Sequence, residues 1–190
     1  MIIRSPGVVG LSALALAACD GPASGPAGAP ANSAPTATAG GTPAAAAAII
    51  LDGAGLKVGS APTLTAFGAP RATVEAAVRS VLGTAAEVSE NPDCPTGPAT
   101  VLNWGDAMQV VIQNGTFVGW RADDATGRTA SGLHVGSTRG QVEAGPDFSL
   151  PETTLDAVEI AVDGVGGFLT TVGADGTVEQ LFAGDICMAR

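Results

Sequence analysis

Residues 67–75, Phe-Gly-Ala-Pro-Arg-Ala-Thr-Val-Glu, return at residues 135–143 as Val-Gly-Ser-Thr-Arg-Gly-Gln-Val-Glu, at a constant offset of 68 that keeps a glycine, an arginine and a Val-Glu pair. A repeat that long exceeds the roughly 20–50 residues of solenoid units. It points to two small modules built on one plan. In the first copy Pro70 suits the opening position of a helix, where its missing N–H would be unpaired anyway. Val74, Ala77, Val78, Val81 and Leu82 then fall on one apolar stripe, and Gly83 can end the helix in the left-handed region. In the second copy Thr138 and Gln141 have the spacing of a capping box. Gly145-Pro146 breaks that helix within two turns.

After each helix the apolar period changes from about 3.6 to 2, as strands require. Val101 to Trp104, Met108 to Gln113 and Thr116 to Arg121 read as strands. Asn114-Gly115 between the last two predicts a type I′ hairpin, because both turn positions need positive φ. That turn would set Ile112 opposite Phe117 and Gln109 opposite Trp120. Downstream, Val158, Ile160 and Val162 alternate, Phe168 to Val172 forms a run, and Val178 to Phe182 leads to Cys187. Asp175-Gly176 is expected as the matching hairpin turn. Ahead of the first helix, Ile49 to Gly53 with Leu56 and Val58 reads as a short strand or extended lead-in. The fold class is α+β, tandem small modules, each a short helix followed by antiparallel strands, over 49–130 and 131–190.

Gly68 to Gly83 and Gly136 to Glu143, each followed by antiparallel strands, resemble the helical elements of the β-lactamase-inhibitor-like fold. That fold is shared by β-lactamase inhibitory proteins and the small lipoproteins of the β-barrel assembly machine. The resemblance covers most of residues 50–188, and the short second helix departs from it. It implies binding of another protein rather than chemistry: scaffolding in the envelope, or alternatively inhibition of a periplasmic or extracellular hydrolase by a tethered domain.

The N-terminus speaks of location. Arg4 precedes an apolar run from Val8 to Ala18, about the length of a signal peptide's core and short of a membrane span. Leu16-Ala17-Ala18-Cys19 closely resembles a bacterial lipobox, which implies a signal peptide over 1–18 and a diacylglycerol thioether on Cys19. Residues 20–48 hold 12 Ala, 5 Pro and 5 Gly with Asp20 the only charge. With no large side chain to bury, such a stretch reads as a tether, although Ala44 to Ala48 could lengthen a helix into the domain. Several acyl chains on one residue make anchoring effectively permanent. The expected location is therefore a lipid anchor facing periplasm or exterior. Asp20 resembles the signal that retains enteric lipoproteins in the inner membrane.

Residues 49–190 carry 17 acidic and 7 basic side chains, for a charge of -10. That balance argues against nucleic acid, which needs a positive footprint. Apart from Cys19 the cysteines are Cys94 and Cys187, and in an oxidising compartment they allow a single disulfide. Two free thiols, or a metal site, are the alternatives, and two cysteines without nearby histidines make a poor metal set. No metal or other cofactor is expected. His134 sits in a glycine-rich turn without a nucleophile elbow, so it reads as structural and the chain as not an enzyme. Asp123-Asp124 reads as a solvated loop, and Asp163, Asp175 and Asp185, each beside a glycine, read as turn residues. Gly164-Val165-Gly166-Gly167 lacks the lysine and spacing of a phosphate loop. Trp104, Phe117 and Trp120 are the aromatic candidates for a partner face, with module core as the competing and preferred role.

Overall fold

The computed structural model describes residues 48–59, 63–152 and 157–188. The expected signal peptide, Cys19, Asp20 and the tether up to residue 47 lie outside the described residues. Ala48 opens a strand, which corrects the helical extension considered for it.

The chain runs β1 (Ala48–Asp52), β2 (Gly55–Gly59), β3 (Leu64–Ala66), α1 (Arg71–Leu82), β4 (Glu87–Asn91), β5 (Ala99–Asn103), β6 (Gln109–Gln113), β7 (Thr116–Ala122), β8 (Gly127–Thr129), α2 (Arg139–Glu143), β9 (Val158–Val162), β10 (Val165–Leu169) and β11 (Val178–Gly184). It is a mixed α+β fold. One sheet has seven strands in the order β4-β5-β6-β7-β11-β10-β9, every pair antiparallel. A second has four, β3-β2-β1-β8, in which β1 and β8 run parallel. The expected lead-in is thus a hairpin, turned by Gly53-Ala54, whose Ile49, Leu51 and Leu56 point into the core.

Helix α1 forms where the stripe predicts it. Val74 and Val78 are fully buried, and Val81 and Leu82 pack at the margin. Pro70 is the residue before the helix rather than its first, with an extended ψ of 143°. Gly83 closes the last turn at φ 73°, its N–H donating to the Arg79 carbonyl at 2.8 Å. Helix α2 begins with the capping box of Thr138 and Gln141 and buries Val142. A single apolar cluster gathers Val74 and Val78 from α1, Val142 from α2, Ile49, Leu51 and Leu56 from the small sheet, and Trp120, Ile160 and Leu181 from the large one. Burying side chains of this size stabilises by about 1.5–3 kcal/mol each.

The repeat seen in the sequence is also a repeat of backbone hydrogen bonds. Gly68 N–H donates to the Phe117 carbonyl at 2.7 Å, and Gly136 N–H to the Val178 carbonyl at 2.8 Å. Phe117 N–H returns to Ala69 and Val178 N–H to Ser137, while Arg71 N–H reaches Gly115 and Arg139 N–H reaches Gly176. Gly68 and Gly136 hold φ values of 90° and 92°, and Arg71–Glu75 and Arg139–Glu143 are matching ion pairs. Strands β7 and β11, the partners of these two docking loops, pair with each other at the centre of the large sheet.

Several local expectations shift. The Asn114-Gly115 hairpin forms with positive φ at both residues, and Ile112 faces Phe117. A bulge between Val111 and Ile112 then moves the register by one, so Trp120 faces Val110 and Gln109 faces Arg121. The tight two-residue turn of the second half is Asp163-Gly164, between β9 and β10, with φ of 53° and 73°. Asp175-Gly176 instead lies in the longer connection from β10 to β11. The expected strand over 168–172 is β10, which starts at Val165 and ends at Leu169. Gly166 and Gly167 lie within it. A side chain at Gly166 would strike the Phe182 ring, and one at Gly167 the Gln180 carbonyl, so both mark close approach inside a sheet rather than a loop.

Candidate partner-binding face

Helices and the small sheet share one apolar cluster with the inward side chains of the large sheet, which leaves the alternate side chains of its strands on the other face. Register assembles that face row by row. Gln109, Arg121, Phe182 and Gly166 form one cross-strand row, and Gln180, Phe168 and Glu159 form the next. Phe182 lies over the bare backbone of Gly166, and its ring centroid is 5.3 Å from that of Phe168. This tilted aromatic pair spans β10 and β11.

Around the rings stands a polar array. The Asp123 carboxylate accepts from Arg121 Nε at 3.0 Å and from Gln180 Nε2 at 2.6 Å, tying β11 to the end of β7. A shallow cavity of about 470 Å³ opens beside it, lined by Asp123, Ala157, Phe168, Glu179 and Gln180. Asp123 is therefore more than a loop residue. Asp124 keeps the expected local role, its carboxylate accepting the Thr126 N–H at 2.7 Å.

The far end of the face is closed covalently. Cys94, in the connection from β4 to β5, bonds to Cys187 beyond β11, with Cα atoms 4.8 Å apart. The pair packs on Ala99, Val111 and Val118 as a second, smaller apolar cluster. Asp185 is fixed from several sides. Its N–H donates to the Val118 carbonyl at 2.9 Å, and its carboxylate accepts the Cys187 N–H at 3.0 Å and the Thr96 hydroxyl. The Gln113 amide donates to the Thr96 hydroxyl at 2.8 Å and lies 3.6 Å from the Cys94 sulfur. Both sulfurs and an Asp185 oxygen fall within 4.8 Å of one another.

The aromatic candidates named from the sequence are not on this face. Phe117 and Trp120 have no exposed surface and Trp104 has 8 %. Trp120 Nε1 donates to the Asp52 carbonyl and Trp104 Nε1 to the Thr84 carbonyl, each at 3.1 Å. Phe117 packs edge-on against Phe67 at 4.9 Å. All three are core residues, so the partner-face role considered for them is corrected. The half-buried residues of the face are instead Phe168, Arg121, Asp123 and Gln180, with Phe182 beneath them, itself only 4 % exposed. Strand alternation was the available signal, but the bulge hides it.

His134 turns its Nδ1 to the Val135 carbonyl at 2.8 Å, and its backbone N–H donates to the buried Ser137 hydroxyl at 3.0 Å. The imidazole is thus engaged with a backbone carbonyl. Among the described residues no helix is long and apolar enough to cross a membrane. Comparison with protein-family models, with curated proteins and with solved structures finds no match to this chain.

Proposed function

We propose that this chain is a non-catalytic envelope lipoprotein whose domain binds or scaffolds another envelope protein through the outer face of its seven-stranded sheet. The observation that carries the reading is the half-buried Phe168 ring, backed by the buried Phe182, beside the Arg121-Asp123-Gln180 array on one face of the sheet. Aromatic and arginine side chains dominate the energetics of protein interfaces. The duplicated docking bonds around Gly68 and Gly136 support two modules of one plan, 49–130 and 131–190, joined edge to edge at β7 and β11. That arrangement is in keeping with the resemblance to the β-lactamase-inhibitor-like fold. A signal peptide over 1–18, lipid on Cys19 and the alanine-rich tether would hold the domain near a membrane surface, the inner one where Asp20 acts as a retention signal.

The experiment is site-specific photocrosslinking in the native envelope. A benzoyl-phenylalanine placed at Gln109 or Glu179 is expected to capture one discrete envelope protein, whereas the same group at Arg79, on the outside of α1, captures none. Capture from Arg79 alone, or from no position, overturns the reading. If the captured protein is a hydrolase that loses activity on binding, inhibition replaces scaffolding. The anchor is tested separately: Cys19→Ala should abolish incorporation of labelled palmitate and release the chain from membranes.

A further inference from the structure

The large sheet ends differently at its two edges. Strand β9 is covered: Ser149 and Ala161 exchange backbone hydrogen bonds at 2.9 and 3.0 Å, and the Asp163 N–H donates to the Pro146 carbonyl at 2.9 Å. At the other edge stands β4, whose five residues pair with β5 in unbroken register. Among the described residues no backbone hydrogen bond reaches β4 from any segment other than β5. Alternate residues of such an edge direct N–H and C=O away from the sheet, a template for one more strand unless proline, lysine or a bulge blunts it. Glu-Val-Ser-Glu-Asn has none of the three. Its two glutamates are the only guard, and they repel acidic segments rather than basic ones.

Register carries both faces of the sheet out to this edge. Val88, Leu102, Val110 and Trp120 form one cross-strand row. The last three are fully buried, whereas Val88 is 52 % exposed, so the core row runs one strand beyond its cover. Glu87, Asn103, Gln109 and Arg121 form the adjacent row on the outer face. Within it Asn103 Oδ1 is buried and has no hydrogen-bond partner among the described residues. Glu90 accepts from the Thr100 hydroxyl at 3.0 Å, but neither glutamate has an ion-pair partner among the described residues. A second copy would bring the same carboxylates and its own charge of -10 to this edge. We propose that β4 takes up an extended basic segment of a partner polypeptide as a further antiparallel strand of the large sheet. Main-chain bonds to β4 supply the affinity and alternate side chains the choice of sequence. Antiparallel register asks for the order basic, any, apolar, basic: the first opposite Glu90, the apolar residue against Val88, and the last opposite Glu87 on the row of Asn103 Oδ1.

The test uses the full chain, labelled with nitrogen-15, and the capped synthetic peptide Thr-Arg-Thr-Val-Arg-Thr, followed by nuclear magnetic resonance. Amide exchange at alternate residues of β4 should slow as peptide is added, with shift changes centred on Glu87 to Asn91, and added salt should weaken the binding. The same peptide with glutamate in place of arginine, or with alternate amides methylated, should bind ~10-fold more weakly. Glu87→Lys combined with Glu90→Lys should reverse the preference between the basic and acidic peptides, which a folding defect would not do. Shift changes at Phe168 and Gln180 instead of β4, equal affinity for the acidic peptide, an unreversed preference in the lysine variant, or no change at millimolar peptide each overturns the proposal. Slowed exchange of β4 without peptide, growing with protein concentration, assigns the edge to a second copy and overturns it as well. Capture from Glu179, at the other end of the sheet, is read separately, so the outer-face reading stands or falls on its own.

Discussion

Phe117 and Trp120 stand three residues apart on one strand, yet both are completely buried on the same side of the sheet. Strict alternation would send one of them outward. The bulge opposite Val111 and Ile112 absorbs the extra residue and turns both inward. Val178 and Leu181 repeat the arrangement on β11, beside the register shift at Phe168 and Leu169. Trp120→Ala should therefore cost about 3–5 kcal/mol of stability. Urea unfolding followed by circular dichroism measures it. Phe168→Ala, at a half-buried position on the outer face, should cost clearly less while reducing photocrosslinking from Glu179.

Gly68 and Gly136 do the same work in the two halves, each turning the chain at φ near 90° into a docking bond with the large sheet. Nothing lies within 4 Å of a side chain added at either, so alanine would be penalised by backbone strain alone. Each substitution should destabilise by about 1–2 kcal/mol. Gly140, inside α2 with equally open surroundings, is the opposite case. Gly140→Ala should stabilise by up to about 1 kcal/mol, and thermal melts of the three variants separate the outcomes.

The Cys94–Cys187 bond spans 93 residues of chain. In the chain-entropy view, closing a loop of that size contributes about 4–5 kcal/mol. Replacing both cysteines by serine should lower the denaturation midpoint accordingly. Adding a reductant should then shift the wild-type protein towards the variant and leave the variant where it is.

Asp52 links sequence-local chemistry to the core. Its carboxylate is held below the ordinary value of 3.8, first by the hydrogen bond from Lys57 and then by the Ala54 N–H. Because the folded pKa is depressed, the stabilisation is complete above 3.8 and is lost as pH falls through the lower folded value. Asp52→Asn should flatten the acid limb of the stability–pH curve in that window and leave its shape above pH ~5 unchanged. Stability measured by urea titration from neutral to acid pH, with wild type and variant side by side, checks the direction.

What could be read from the sequence was local. The stripe of α1, the Thr138–Gln141 box and the Asn114-Gly115 turn each depend on residues a few positions apart, and all appear. Cys94 had one partner to choose. Strand β4 escaped because four of its five residues are exposed, so no alternation marks it. Strand β8 is three residues long and exists through its parallel pairing with β1, a partner far back in the chain. The outer face was illegible for a related reason. Arg121, Asp123 and Gln180 meet through the pairing of β7 with β11, and the bulge displaces the alternation that would have assigned Phe182 and Arg121 to one row.

The central pairing of β7 with β11 also sets an order of events. Strand β1 needs β8 before its sheet is complete, and β7 stays an open edge until β11 arrives near the C-terminus. Pairings between such distant parts of a chain close slowly, because loop entropy must be overcome before contacts form. A ribosome synthesising this protein would release β1 to β7 before either sheet could finish. The topology thus makes the closing of the large sheet a late event, which waits on the pairing of β7 with β11 however early the hairpins on either side have formed.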